Sequence, residues 1–341
     1  MNDDTILLAH GSGGKLMHEL IEKTIAPLVG GAILSTLDDA AEIVLDGASR
    51  LAFTTDSYVV NPIIFPGGDI GRLAVSGTVN DLAMKGARPI AISLALIIEE
   101  GLTVGELTRI LESIARTARE AGVEVATGDT KVVERGSADR LFINTAGLGV
   151  IPPERSVSGA NARPGDVVIV SGTLGDHGLA VMSEREGLGL SIPVESDVRP
   201  LTGLVEALFA AVPAEHVHVL RDPTRGGLAT TLNEIAAQSG VTIVLDDENI
   251  PVREEVRGAC EVLGFDPLYV ANEGKFVAVV SPESADAALA ALRAHPGGEE
   301  AALIGEVEDA GSRKPAVFVR TSLGSRRFLT MLTGEQLPRI C

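Results

Sequence analysis

Five aspartates, one glutamate and a terminal cysteine carry most of the chemistry this chain is equipped for. Cys341 ends the chain, and Cys260 is the only other cysteine in 341 residues. A terminal residue has no following chain to pack against, so core packing does not explain Cys341. Taken alone, the tail leaves two readings open: an accidental exposed thiol, or a tethered thiol carried into a site and loaded. Thr333, Gly334, Glu335 and Gln336 read as a flexible, solvated lead. Asp39 follows Asp38 at a turn, and Asp56 interrupts a strand-forming run at 51–60. An unpaired carboxylate among buried residues is costly, which calls for a partner such as a metal ion. Asp81 lies on a small-residue helix between apolar Val79 and Leu82. Asp129 and Lys131, two apart after Gly128, point the same way from an extended segment. That pairing suits phosphate with Mg2+; the alternative is a surface ion pair worth little. Asp222 stands in a loop with Arg221, Arg225, Gly226 and Gly227. Glu273 breaks the chain before a strand, as a solvated loop residue or a positioned base.

Glycine loops are the natural partners of such acids. His10, Gly11, Ser12, Gly13, Gly14 and Lys15 precede a helix with Met17, Leu20, Ile21, Ile25 and Leu28 at helical spacing. Glycines let backbone N–H groups turn towards an anion, and a helix N-terminus adds a favourable dipole. The spacing to Lys15 is not that of a P-loop, and a plain N-terminal turn is the other reading. A second glycine turn at 171–178 carries His177, as a phosphate or proton-transfer residue or as a structural one. His216 and His218 have no third ligand at convincing spacing, which argues against zinc. Cys260, on an apolar helix, reads as a buried structural thiol.

These residues need elements to hold them. Strands are expected at 51–60, 89–98, 123–126, 141–151, 166–170, 241–245 and 276–280, with two more near Leu303 and at 317–319. Helices are expected at 71–86, from Thr103 with a Thr103/Glu106 capping box, and around Leu228, Val256 and the alanines after Ser281. Leu107, Ile110, Leu111, Ile114 and Ala118 form the buried stripe of the second of these. The N-terminal half is α/β in mixed order rather than a regular doubly wound sheet. The Pro- and Gly-punctuated stretch 152–165 divides an N-terminal domain, 1–151, from a C-terminal one, 166–332, with a tail at 333–341.

Composition narrows the function. The net charge of -19 repels nucleic acid and anionic membrane surfaces. Aromatics are only 3%, without Trp, which leaves little for stacking on bases. Two distant cysteines fit a reducing cytoplasm rather than a disulfide framework. The acidic start Met1-Asn2-Asp3-Asp4 lacks a signal-peptide pattern, and no apolar run approaches a membrane span.

Taken together, several segments resemble one family. They are His10-Gly11-Ser12-Gly13-Gly14, Asp38-Asp39-Ala40-Ala41, Thr54-Thr55-Asp56, 80–87, 128–133, Asp222-Pro223-Thr224-Arg225-Gly226-Gly227, Asn272-Glu273-Gly274 and Pro338-Arg339-Ile340-Cys341. The chain resembles the ATP-dependent PurM-like superfamily over nearly its whole length. Within it, the chain is most similar to the HypE hydrogenase maturation factors, which are carbamoyl dehydratases. The resemblance implies a two-domain α/β (α+β) fold, with the N-terminal domain joining its mate in a dimeric β-barrel and ATP in the cleft. It implies Mg2+ held by Asp39, Asp56, Asp81 and Asp222. It implies ATP contacts from Gly11, Ser12, Gly13, Gly14, Asp39, Thr55, Asp56, Asp81 and Asp129. Lys131 and Glu273 would serve the dehydration of a carbamoyl group on Cys341, with HypF as donor and the HypC–HypD complex as cyanide acceptor. The N-terminal loop lacks the cysteine of selenophosphate synthetases. Thiamine-phosphate kinases and aminoimidazole ribonucleotide synthetases lack the terminal Pro-Arg-Ile-Cys. Two other classes remain: a kinase or ligase acting on a free small molecule, and a non-enzymatic protein using its tail as a docking peptide.

Overall fold

Alternation along β2 (Arg50–Tyr58) sets the N-terminal sheet. Ala52, Thr54 and Tyr58 point into the core, while Phe53, Thr55 and Ser57 face outwards. The computed structural model describes residues 6–29, 33, 36–45, 49–185, 193–332 and 340–341. Before the sheet, α1 (Lys15–Leu20) runs through a π-helical stretch, Ile21–Ile25, into α2 (Ala26–Val29). The sheet's order is β1 (Ala41–Val44), β2, β7 (Leu141–Ile151), β5 (Arg88–Glu99), β6 (Glu124–Val133). Every pairing is antiparallel except β5 with β6, which α4 (Val104–Ala121) connects. A short hairpin, β3 (Ile64–Phe65) and β4 (Gly68–Asp69), leads into α3 (Ile70–Met84). The mixed order expected for this half is what forms.

Helix α3 is buried along almost its whole length because it is made of small and apolar residues. Gly147 on β7 lets it approach: a Cβ there would lie 2.7 Å from Thr78 Cγ2. Helix α4 starts at the expected capping box, Thr103 with Glu106. Its buried face is Ile110, Ser113, Ile114, Thr117 and Ala118, whereas Leu111 is turned outwards. The residues three and four apart from Ile110 make the stripe, and Leu111 falls just off it.

The C-terminal sheet has seven strands in the order β14 (Arg326–Leu329), β13 (Ala316–Arg320), β10 (Val241–Asp246), β12 (Ala302–Asp309), β8 (Val167–Val170), β11 (Val277–Val280), β9 (Val217–Arg221). Around it lie α5 (Asp176–Ser183), α6 (Thr202–Ala211), α7 (Gly227–Ser239), α8 (Glu254–Leu263) and α9 (Ala285–Ala294). Strands β8 to β11 are buried on both faces, so their apolar runs do not alternate. Strand β14 was not expected, because Arg326-Arg327-Phe328-Leu329 carries too much charge to read as a strand. It forms as an edge, where arginines are tolerated: Arg326 pairs with Glu308 and Arg327 with Asp266.

Two further expectations change. The short strand expected at 123–126 runs on to Val133 as β6, and Gly128 within it crosses close to the Leu94 carbonyl. The apolar stripe of α1 and α2 forms a helix, but no residue of it is buried in this chain. The connection at 152–165 is clamped: buried Arg155 reaches the Gly86 carbonyl at 3.0 Å and Glu206 at 2.7 Å. The lead expected to be flexible, 333–339, lies outside the described residues. Among the described residues no helix is long and apolar enough to cross a membrane.

One core cluster joins the two halves. Tyr58, Leu73, Ile92 and Ile110 pack with Leu179, Val256, Val270 and, from the chain terminus, Ile340. Gly77 fixes how α3 meets this cluster, since a Cβ there would stand 2.5 Å from the Tyr58 hydroxyl. Gly77→Ala gains about 0.5–1 kcal/mol of helix propensity. It loses about 1–3 kcal/mol to overpacking. The clash is therefore expected to win, and thermal unfolding should show a lowered midpoint.

Candidate active site

A pocket of about 570 Å³ lies between the two halves, within the roughly 300–1,000 Å³ usual for small-molecule sites. Strand β2 brings Thr55 and Asp56 to it, helix α3 brings Asp81, and the turn before β1 brings Asp39. The C-terminal half contributes Asp222, Arg225 and Glu273. Cys341 reaches the same wall from the end of the chain.

Asn272 and Asn80 assemble these pieces. Asn272 donates to the Pro223 carbonyl at 3.0 Å and accepts from Gly175 N–H at 2.8 Å. It therefore ties the Glu273 turn to the Asp222 loop and to the start of α5. Asn80 donates to the Arg199 carbonyl at 3.1 Å and accepts from Leu201 N–H at 2.7 Å. Its neighbour Asp81 is thereby left facing the pocket. Glycines permit the contact of the N-terminal loop with the Asp222 loop. Gly13 has φ +78°, and a Cβ there would collide with Arg225.

The carboxylates are crowded and largely dry. Asp81 is held well above the usual carboxylate range by burial, and then by Asp56, Asp222 and Asp39. Burial likewise raises Asp39, against the pull of Arg221, with Asp222 and Glu234 adding to the rise. Burial lifts Asp56 against Arg225, and pushes Asp222 up to about 6 against Arg221. Glu273, 4% exposed, is raised well above its ordinary value by burial and by Asp222, Asp197 and Asp56. Hydrogen bonds fix two of them: Thr54 Oγ1 donates to Asp81 Oδ2 at 2.7 Å, and Tyr58 Oη to Asp56 Oδ2 at 3.1 Å.

Two arginines offset this charge in different ways. Arg221 is spent on structure, pairing with Asp39 at 2.8 Å and Glu234 at 2.5 Å. Arg225 donates to the Gly11 carbonyl at 3.3 Å and faces Cys341, Asp56 and Glu273. The Cys341 thiol is pushed up to about 12 by burial, with Arg225 working against that rise. The terminus is docked: Val59 N–H donates to Cys341 O at 3.2 Å, and His177 Nε2 meets the Ile340 carbonyl at 2.6 Å.

The expected residues divide into three groups. Asp39, Thr55, Asp56, Asp81, Asp222, Glu273, Cys341 and Gly13 share the pocket. Gly11, Ser12 and Gly14 lie in the adjoining loop, with Ser12 Oγ donating to the Ala9 carbonyl at 2.9 Å. Asp129 and Lys131 are not brought there within one chain. They pair at 2.5 Å on exposed β6, level with Ala95 and Ile97 of β5. Sequence reasoning did not single out Tyr58, Glu234 or the anchoring role of His177. Arg225 was visible inside the Asp222 loop, but nothing in the sequence aimed it at the terminal thiol. Cys260 is buried in α8 as expected, its thiol pushed up to about 11 by burial.

Among the described residues no three His, Cys, Asp or Glu side chains stand together at ligating distance. The charge nevertheless fits a divalent cation, because the acids repel one another and Asp39 Oδ2 has no hydrogen-bond partner among the described residues. Oxygen donors of this kind suit Mg2+ bridged to phosphate rather than a protein cage.

Comparisons with known proteins agree with this architecture. Residues 37–151 match the AIR synthase related protein N-terminal domain, and residues 163–317 the corresponding C-terminal domain. Carbamoyl dehydratase HypE of Azotobacter vinelandii is 51% identical over 341 residues, covering 100% of this chain and 98% of that protein. The solved HypE–HypF complex contains a chain 48% identical, at a TM-score of 0.86, over 92% of this chain and 99% of that one. HypE solved in complex with ATP is 52% identical, at a TM-score of 0.82, over 99% and 100%. Two PurM-like domains around one carboxylate-lined cleft, likeness along the full length, and a terminal cysteine docked in that cleft place this chain in the HypE family of carbamoyl dehydratases.

Proposed function

We propose that the protein uses ATP to dehydrate a carbamoyl group carried on Cys341 to a thiocyanate, which supplies cyanide for the iron of a [NiFe] hydrogenase. One observation carries the reading: the terminal thiol sits in the pocket that gathers Asp56, Asp81, Asp222 and Glu273. A kinase or ligase for a free small molecule would have no use for a chain end whose thiol lines its own cleft.

Hydroxide is a poor leaving group, so an amide does not lose water unaided. The carbamoyl oxygen attacks the γ-phosphorus of ATP, and ADP departs. Loss of both N–H protons then expels the oxygen with its phosphoryl group as phosphate, and S–C≡N remains on the tail. Glu273 takes a proton: its raised pKa makes it a stronger base than a solvated glutamate. Arg225 faces the sulfur and stabilises negative charge that develops beside it. The 11–14 loop, Thr55 and the pocket aspartates hold the nucleotide. Mg2+ on Asp39, Asp56, Asp81 and Asp222 would neutralise the phosphates and orient the transfer.

Loading belongs outside the cleft. A thiol at about 12 is almost wholly protonated at neutral pH and is a poor nucleophile. A HypF carbamoyltransferase would therefore meet the tail undocked, and the HypC–HypD complex would take cyanide from it there, in the cytoplasm. Asp129 and Lys131 enter through a homodimer. They share the helix-free face of the N-terminal sheet with Phe53, Phe142 and Ile97, an apolar surface open in one chain. A second copy closing a barrel over that face would bring its Lys131 towards this chain's cleft.

The carbamoylated protein, given Mg-ATP, is expected to lose the mass of one water from its tail peptide. Retention of that mass would sink the reading, as would ATP turnover that persists unchanged in Cys341→Ala and needs a free small substrate. Glu273→Gln should lower the single-turnover rate by about 10²–10⁴ while leaving ATP affinity intact. The ionised carboxylate is the active form, so the rate should fall with decreasing pH through a limb above the ordinary glutamate range. Dimer sharing has its own check. Cys341→Ala and Lys131→Ala should each be inactive alone, and mixing them should restore dehydration at the sites that pair an intact Cys341 with an intact Lys131.

A further inference from the structure

The His177 ring is fully buried and touches the chain end, and Asp197 is the carboxylate whose charge reaches it. Its Nε2 stands 2.6 Å from the Ile340 carbonyl. Its Nδ1 stands 2.8 Å from Ser196 Oγ, which accepts from Val198 N–H at 3.1 Å. That leaves the Ser196 hydroxyl proton for Nδ1, so Nε2 carries the ring's hydrogen and donates it to Ile340. Burial pulls the ring's pKa down, which keeps this neutral form. Phe65 meets the ring edge-on, with centroids 5.4 Å apart at 88°. Ser196 is itself held by the Pro66 carbonyl at 2.9 Å. The ring is thus oriented before the tail arrives.

Ile340 completes the contact. Its side chain is 6% exposed and belongs to the same apolar cluster as Leu179 and Val270. Beyond it, Val59 N–H donates to a main-chain carboxylate oxygen of Cys341 at 3.2 Å. The slot therefore reads a short C-terminal peptide by one apolar side chain, one backbone carbonyl and one terminal carboxylate oxygen. The next residue after Ser196 faces the chemistry: Asp197 Oδ1 accepts from Glu273 N–H at 3.1 Å. One dipeptide thereby sets both the tail's anchor and the base.

We propose that His177 is the positioning residue that latches the C-terminal tail, and that its hydrogen bond to Ile340, with the apolar slot, sets the fraction of time Cys341 spends in the cleft. This rests on the carrier role given to Cys341. The latch must also be weak enough to release. One hydrogen bond to a buried carbonyl shifts an equilibrium roughly three- to tenfold, so the slot holds the tail without trapping it.

The test is alkylation of the full-length protein by iodoacetamide, read peptide by peptide by mass spectrometry. Cys260, 1% exposed, reports loss of fold in the same sample. His177→Ala and Ile340→Ala are expected to speed modification of Cys341 by about three- to tenfold while Cys260 stays protected. His177→Gln, whose amide N–H reaches a similar point, should return the rate towards wild type. The carbamoylated His177→Ala protein should also dehydrate more slowly in a single turnover, with its ATP affinity unchanged. If His177→Ala alters neither the Cys341 rate nor dehydration while Cys260 remains protected, the latch is overturned. Should His177→Ala unfold the protein, His177→Phe, which fills the same space without the Nε2 donor, takes its place, and an unchanged Cys341 rate in it overturns the latch. If the wild-type tail never loses water but the alkylation pattern holds, the latch stands and the dehydration reading falls.

Discussion

The burial of several carboxylates in one cleft is the constraint on which that cleft depends. Asp39, Asp56, Asp81, Asp222 and Glu273 are all pushed above their ordinary values, with burial the largest cause in each. A cluster of this kind does not stabilise a fold; it draws on stability supplied elsewhere. Arg221 offsets part of it by pairing with Asp39 and Glu234, and removing a partner from such a buried set typically costs about 3–5 kcal/mol. Arg225 offsets a further part beside Asp56 and Glu273, and these two arginines are fewer than the acids they face. In the proposed reaction this is the useful part, since a cation carrying phosphate is what such a cleft lacks.

Holding the acids in place takes contacts across the whole chain. Three loops from the C-terminal half meet at Asn272, and α3 is stitched to the same region by Asn80. Small residues do the rest: Gly13 passes under Arg225, and Gly77 passes against Tyr58. Each acid is thus held by a strand, a helix or a loop braced by Asn272 or Arg221, while the thiol of the proposed chemistry rides on the chain end. This division matches the physical demands of phosphoryl transfer, where positioning and charge stabilisation dominate.

Much of this was legible in the sequence because it rests on local rules. The Thr103/Glu106 box, the apolar runs of the C-terminal strands and the small-residue helix around Asp81 all follow from period, capping and composition. Asp56 was readable as anomalous because a carboxylate inside a strand run needs a reason. Tertiary facts were not legible. The outward placement of Asp129 and Lys131 on β6, away from this chain's own pocket, is set by strand order and not by their spacing. His177 looked like a turn residue, and only the folded chain shows the penultimate carbonyl arriving at its Nε2. Neither spacing nor residue type encodes a contact 163 residues away.

The docked thiol explains why a carrier would sit on the chain terminus rather than on a fixed loop. The same burial that makes the cleft suitable for charge chemistry raises Cys341 to about 12 and suppresses its thiolate. A fixed cysteine there would be hard to load. A solvated cysteine would load easily, but its carbamoyl group would lie away from Glu273 and Arg225. Neutral carbamoyl and cyano groups on sulfur enter a dry cleft at far less cost than a thiolate does. A tether that alternates between water and the cleft meets both needs, provided its hold inside is modest. One buried side chain and two backbone hydrogen bonds, at Ile340 and Cys341, give a hold of that order.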